Sequence, residues 1–167
     1  MKIKNCLPRT EDILEFASVF SILVMLSDLL FEHKGKTTNS RILDSSVQKQ
    51  EVTVVGKGKL KGLDVSLIIT YWNKPTQKIS ENRSPSWHYY GEGNGIISNM
   101  KDSTETAIVT EYGFGRLIGQ KTVWRGSAFY KTSSNSKFAF LNNTVGVFET
   151  DVDNVLVDVN EKVWEWR

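Results

Sequence analysis

Two glutamates and one arginine stand on neighbouring candidate strands, at Glu92, Glu111 and Arg125. If their faces of a sheet point inward, either glutamate could pair with Arg125 in the interior or help orient the acid group of a ligand. Either carboxylate, or His88, could instead carry the proton of a cyclase or isomerase, because a buried carboxyl can serve as both acid and base. If those faces point outward, the same residues are solvated and have no role in chemistry.

Aromatic residues indicate what such an interior would bind. Because side chains alternate between the two faces of a strand, Trp87 shares a face with Tyr89, and Tyr112 shares one with Phe114. The pattern fits a packed core, and it also fits a pocket for an apolar or planar ligand, since pockets are mostly apolar with few polar groups. The predicted ligand-binding residues are Trp72, Trp87, Tyr89, Glu92, Tyr112, Trp124, Arg125 and Tyr130. No residue is assigned a catalytic role.

Several other chemistries lack the residues they need. The chain has two histidines, His33 and His88, in no paired-histidine motif, and its single Cys6 excludes an intrachain disulfide and a Cys-rich metal site. We therefore expect no metal and no cofactor. The net charge of +2, from 21 basic and 19 acidic residues, is too balanced for a dedicated nucleic-acid binder.

Glycines recur at alternating positions in three places. The groups are Gly56, Gly58 and Gly62; Gly91, Gly93 and Gly95; and Gly113, Gly115 and Gly119. Strand-like sequence follows each group, so no helix N-terminus is available to bind a phosphate, which argues against a nucleotide site. Alternate glycines are instead typical of a sheet that bends sharply enough to close on itself.

The elements that must position these residues begin at Glu51. From there to the C-terminus, short runs of alternating apolar and polar residues are separated by turn signals such as Lys61-Gly62. The pattern predicts a mainly β domain over 51–167, an antiparallel up-and-down β-barrel of seven to eight strands. The interior of such a barrel is either packed or holds one small ligand. Residues 73–85 are predicted to be a long loop that covers one end.

The chain before Glu51 is predicted to form a helix and a linker. Residues 1–34 combine Thr10 as an N-cap with a wide apolar face, which predicts an amphipathic helix. Its uncharged run, 16–27, has 12 residues, against the roughly 20 that cross the hydrocarbon core, so a spanning helix is marginal. The helix would then pack on the barrel, form a homodimer or contact a membrane peripherally. Residues 35–50 have no periodicity and are predicted to be a linker. Without an export signal, we expect a cytoplasmic protein, with membrane association as the alternative.

A resemblance to known families covers the predicted barrel. From Tyr89 onward the chain resembles a small uncharacterised archaeal family of single-domain β proteins, through the segments YYGEGNG, EYGFGR, VWRGSAFY, LNNTVGVFE and KVWEW. Residues 51–167 are also similar in plan to calycin-like barrels such as lipocalins and allene oxide cyclase. The calycin-like plan implies non-catalytic binding of a small molecule, with a cyclase or isomerase as the less common outcome. A helix-mediated membrane-associated or assembly protein is the third hypothesis.

Overall fold

Antiparallel strands pair in chain order and close into a barrel when the last strand pairs with the first. The structure is a computed structural model and describes residues 26–81, 84–133 and 135–166. Within them are eight strands: β1 (Leu26–Asp44), β2 (Lys49–Leu60), β3 (Leu63–Glu81), β4 (Ser84–Asn99), β5 (Asp102–Ile118), β6 (Lys121–Thr132), β7 (Val145–Asp153) and β8 (Asp158–Trp166). A short 3-10 helix, Ala139–Leu141, precedes β7. The predicted antiparallel up-and-down barrel is confirmed, with eight strands.

Strand β1 occupies positions where the sequence predicted other elements. Residues 26–34 were expected to end the N-terminal helix and residues 35–50 to form a linker, but 26–44 form a strand. A strand here forms ladder hydrogen bonds on both sides, with β2 and with β8, and it removes the two open edges that the other seven strands would leave. The linker prediction is therefore wrong over β1, and the barrel includes residues from Leu26. The helix predicted over residues 1–25 lies outside the described residues.

The hairpin of β3 and β4 is longer than predicted. Residues 73–85 were expected to be a loop, yet β3 and β4 pair from Val65–Asn99 as far as Glu81–Ser84. A register shift after Pro75 accommodates the proline, which cannot donate a ladder hydrogen bond. The pairing of β3 with β2 ends at Asn73, so the tip of this hairpin is a two-stranded extension of the barrel wall.

One end of the barrel is filled by apolar side chains. The connection between β6 and β7 folds back over this end and fully buries Phe138 and Leu141. Strand β7 begins after this segment, at Val145. Phe138 and Leu141 join one core cluster with Leu30 and Leu60. Full burial of one such side chain contributes about 1.5–3 kcal/mol, so this end supplies much of the stability.

Glycines on the inner face allow aromatic rings to lie flat against the wall. Gly113 and Gly126 are register partners on β5 and β6, and the ring of Phe148 lies over both. A Cβ atom would stand 2.9 Å from that ring at Gly113 and 2.8 Å at Gly126. At Gly126 it would also collide with the main-chain oxygen of Tyr112 on the adjacent strand. Strong curvature and close ring packing therefore depend on the missing side chains.

We expect Gly126→Ala to lower the free energy of unfolding by about 1–3 kcal/mol, the usual cost of overpacking a core. Urea denaturation followed by circular dichroism measures the change. Ser127→Ala, one residue further on the outer face, is the matched control and should stay close to the wild-type value. Equal stability of the two variants would contradict the close packing of β5 on β6.

Candidate functional site

The other end of the barrel is hollow. A cavity of about 480 Å³ lies among the inward side chains, at the end formed by the β1–β2, β3–β4, β5–β6 and β7–β8 hairpins. This volume lies within the usual range for small-molecule pockets. Most of its wall is apolar, as at Val52, Leu117 and Val159, while Gln50 and Asn73 add polar groups.

A flat aromatic wall forms one side of the cavity. The ring of Trp124 on β6 lies across Gly115 on β5 and reaches Gly91 on β4, where an added Cβ would stand 2.7 Å and 3.1 Å from it. Tyr89 lies beside it, with the two ring centroids 6.1 Å apart. Because the glycines carry no side chain, the indole lies against the strands and leaves the space in front of it open.

Buried polar side chains border the cavity and are called the polar floor. Glu111 and Tyr71 form one half of it. The Tyr71 hydroxyl on β3 donates a hydrogen bond of 2.7 Å to Oε2 of Glu111 on β5. Gly93 on β4 is the register partner of both residues, and the Tyr71 ring lies directly over it. A side chain at Gly93 would prevent the Tyr71 ring from crossing β4. The hydrogen bond between Tyr71 and Glu111 therefore depends on three adjacent strands, β3, β4 and β5.

Glu161 forms the other half of the floor. It is 3% exposed, and its Oε2 accepts a hydrogen bond of 2.7 Å from the Thr150 hydroxyl. Its Oε1 lies 3.3 Å from Nε2 of the buried His33, close enough for an ion pair but not aligned for a hydrogen bond. Within the described part of the chain, Oε1 of Glu161 and the buried Tyr130 hydroxyl have no hydrogen-bond partner. Buried polar atoms are rarely left in this state.

The electrostatics of the floor favour its protonated forms. Burial raises the pKa of Glu111 well above its usual range, and the nearby charge of Glu161 raises it further, while the Tyr71 hydrogen bond opposes both effects. Burial, followed by the two carboxylates, also raises the pKa values of Tyr71 and Tyr130. The floor therefore combines hydroxyls that stay protonated with a carboxyl that resists ionisation.

Three predicted ligand-binding residues are brought into the interior. Tyr89 and Trp124 line the cavity, and Tyr130 is buried with its hydroxyl near Gly146. The side chain of Trp87 lies outside the described part of the structure. Three of the eight predicted ligand-binding residues therefore lie in the interior, on β4 and β6.

The other predicted ligand-binding residues lie on the outer surface, namely Trp72, Glu92, Tyr112 and Arg125. Arg125 is 76% exposed in its side chain and pairs with Glu149 at 2.8 Å, so the predicted interior ion pair with a glutamate does not form. Glu92 accepts a 2.7 Å hydrogen bond from Tyr90 on the same outer face. Each of the four follows or precedes an inward residue by one position, and alternation therefore directs it outward.

Sequence reasoning named Glu111 as a proton carrier but missed Tyr71, His33, Thr150 and Glu161. A signal existed for Glu161, since it alternates with Val159 and Val163 on the inward face of β8. An acid between two buried valines is unusual on a strand. No comparable signal marked His33, because its segment was predicted to be the end of a helix.

Comparison with known proteins gave no match to this chain among protein family models, curated protein sequences or solved structures. These comparisons therefore support neither the archaeal β-protein family nor the calycin-like barrels, and the structure shows a closed barrel of eight antiparallel strands. Among the described residues, no three His, Cys, Asp or Glu side chains are placed to hold a metal ion. No helix in that part of the chain is long and apolar enough to cross a membrane. The homodimer and the membrane contact stay predictions.

We expect the free energy of unfolding to fall as the pH rises above the ordinary pKa of a glutamate, 4.5, towards the raised pKa of Glu111. In this range the folded barrel holds a proton that the unfolded chain releases, so rising pH favours unfolding. Below the ordinary pKa both states are protonated and the stabilisation is complete. Above the raised pKa it is lost.

Denaturation midpoints at a series of pH values test this expectation. Glu111→Gln cannot titrate and should show a smaller loss of stability with rising pH than the wild type. Glu92→Gln, on the outer face, is the matched control and should keep the wild-type slope. An unchanged slope in Glu111→Gln would show that Glu111 titrates as an ordinary glutamate.

Proposed function

We propose that the barrel binds a small, mainly apolar molecule with a planar ring in its cavity, and releases it chemically unchanged. The observation that carries this proposal is the open aromatic wall of Trp124, which lies flat over Gly91 and Gly115. A planar ring can stack against such a wall, because offset stacked rings are a favoured aromatic arrangement. The nearby Tyr89 extends the same surface.

The contrast between the two ends of the barrel supports this proposal. Protein interiors are normally close-packed, and Phe138 and Leu141 fill one end in this way. At the other end the flat rings of Trp124 and Phe148 cover Gly91, Gly113 and Gly115, and the space in front of these rings is not filled by other side chains of the described residues. Apolar wall groups there remain in contact with water, and a ligand that covers them gains the free energy of burying that surface.

A cavity-filling variant tests the binding proposal. We expect Val52→Trp, which places an indole in the cavity, to weaken binding of a neutral aromatic probe, naphthylethanol, by roughly tenfold or more. Isothermal titration calorimetry of the full chain measures the affinity. Val55→Trp makes the same change on the outer face of the same strand, where Val55 is 41% exposed, and should bind like the wild type. Equal binding by both variants would place the probe outside the barrel.

An isomerase or cyclase is the second candidate, and it is favoured by the position of Glu111. Its carboxyl group borders the cavity with a raised pKa and a fixed hydrogen bond from Tyr71. Such a group can donate a proton to a ligand and take one back near neutral pH. The other proton carriers considered from the sequence, Glu92 and His88, are not among the residues that line the cavity.

Proton exchange distinguishes the two candidates. In heavy water, an isomerase would exchange deuterium for the hydrogens next to the carbonyl of a bound arylacetone such as naphthylacetone. Loss of the carboxyl in Glu111→Gln would slow this exchange by about 100-fold or more. A binding protein leaves the hydrogens in place, and this is the result we expect. NMR of the recovered ketone measures the exchange, and exchange that depends on Glu111 would favour the enzyme.

A further inference from the structure

Acidic groups border the cavity without a basic partner in its wall. Glu111, Asp153 and Glu161 line it, whereas no lysine or arginine does among the described residues. Asp153 is engaged by its own turn, since its Oδ1 accepts hydrogen bonds from the main-chain N–H groups of Val155 and Leu156. Glu111 and Glu161 remain as the carboxyl groups that a ligand would meet at the floor.

The floor also has unused capacity to accept hydrogen bonds. Tyr71 and Thr150 each donate to Oε2 of their glutamate, at 2.7 Å in both cases. Oε1 of Glu161 is buried and accepts no hydrogen bond from the described residues, although the cavity reaches this side chain. A buried carboxylate oxygen without a donor costs free energy, and a ligand that brings a donor removes that cost.

We propose that the ligand is an aromatic or alkyl amine whose ammonium group binds between Glu111 and Glu161, with its apolar body against Trp124. This inference rests on the proposed binding function and names the class of ligand. An ammonium group has three N–H donors and no acceptor, so it matches a floor that presents carboxylate oxygens. An acid would meet two carboxyl groups with no cation in the cavity wall, and it is therefore disfavoured.

Other titratable groups also face this pair. His33 faces Glu161 from β1, and Tyr71 and Tyr130 approach from β3 and β6. An ammonium ion favours the ionised form of Glu111, whose pKa is raised in the empty barrel. Binding of an amine should therefore release protons, whereas binding of a neutral ligand of the same shape should release fewer.

Three ligands of nearly equal shape test the proposal on the full chain. They are an amine, naphthylethylamine, an alcohol, naphthylethanol, and a carboxylic acid, naphthaleneacetic acid. Isothermal titration calorimetry in buffers of different ionisation enthalpy reports affinity and proton release together. We expect the amine to bind roughly tenfold or more tightly than the alcohol, the usual gain of a hydrogen bond to a charged group. The acid should bind more weakly than the alcohol.

Substitutions at the floor identify the group that recognises the amine. Glu161→Gln keeps the shape of the side chain and should remove most of the preference for the amine over the alcohol, because a neutral amide does not attract the charge of the ammonium group. Glu92→Gln removes a charge from the outer face and should leave the preference unchanged. If Glu161→Gln does not fold, the three ligands still test the proposal on the wild-type chain.

The outcomes separate this inference from the function on which it rests. Equal affinity for amine and alcohol would overturn the amine proposal and leave binding of an apolar ligand intact. Tightest binding of the acid would overturn it as well. If none of the three binds, both the amine proposal and the binding function are wrong.

Discussion

The pairing of β1 with β8 is the interaction on which the rest of the structure depends. It closes the sheet, and only a closed sheet has an inside and an outside. His33 and Glu161 are register partners across this seam, and Thr150 is the partner of Glu161 on the next strand. The ladder that closes the barrel therefore also builds half of the polar floor. A change that opened this seam would remove the cavity and expose its charged groups to water.

Closure creates an interior whose two ends are used differently. The alternation of side chains directs every second residue inward at both ends, so the difference arises from the size of those side chains and from the β6–β7 connection, which folds over the closed end. Large apolar residues such as Leu30 and Phe138 fill the closed end, whereas at the hollow end Trp124 lies flat over Gly91 and Gly115 and the space in front of its ring stays open. Since burial of apolar surface is the main favourable term in folding, the packed end contributes more to the stability of the fold than the hollow end does.

Local sequence patterns predicted most strands of the barrel but not the pairing of β1 with β8 that closes it. The alternation after Glu51 predicted the barrel, because each of those strands pairs with a neighbour close in the chain. The first strand pairs with the last, and such a distant pairing leaves no local signal. Apolar residues before position 32 suggested a helix, and the polar residues of 35–44 suggested a linker.

The candidate site was predictable to a similar extent. Alternation puts Glu111 on the same face of β5 as Ala107 and Val109, and all three are buried. It could not say which face of a strand points inward. On β3, Tyr71 and Trp72 are equally plausible wall residues, and their neighbours Leu67, Ile68 and Ile69 are apolar on both faces. Closure selects Tyr71 and excludes Trp72, and that selection depends on contacts across the whole barrel.

The composition of the floor links the stability of the barrel to the ligand it would take. Two carboxyl groups in a mainly apolar interior disfavour folding when both are ionised, and replacing buried charges by apolar groups often stabilises a protein. A ligand that binds the folded state alone raises its stability by an amount that grows with the logarithm of the ligand concentration above Kd, and a cationic one would also relieve the repulsion between Glu111 and Glu161. The groups that weaken the empty barrel at neutral pH are thus the same groups that would hold an amine most tightly. Affinity and fold stability therefore depend on one set of side chains, which the seam between β1 and β8 and the crossing of Tyr71 over Gly93 hold in place.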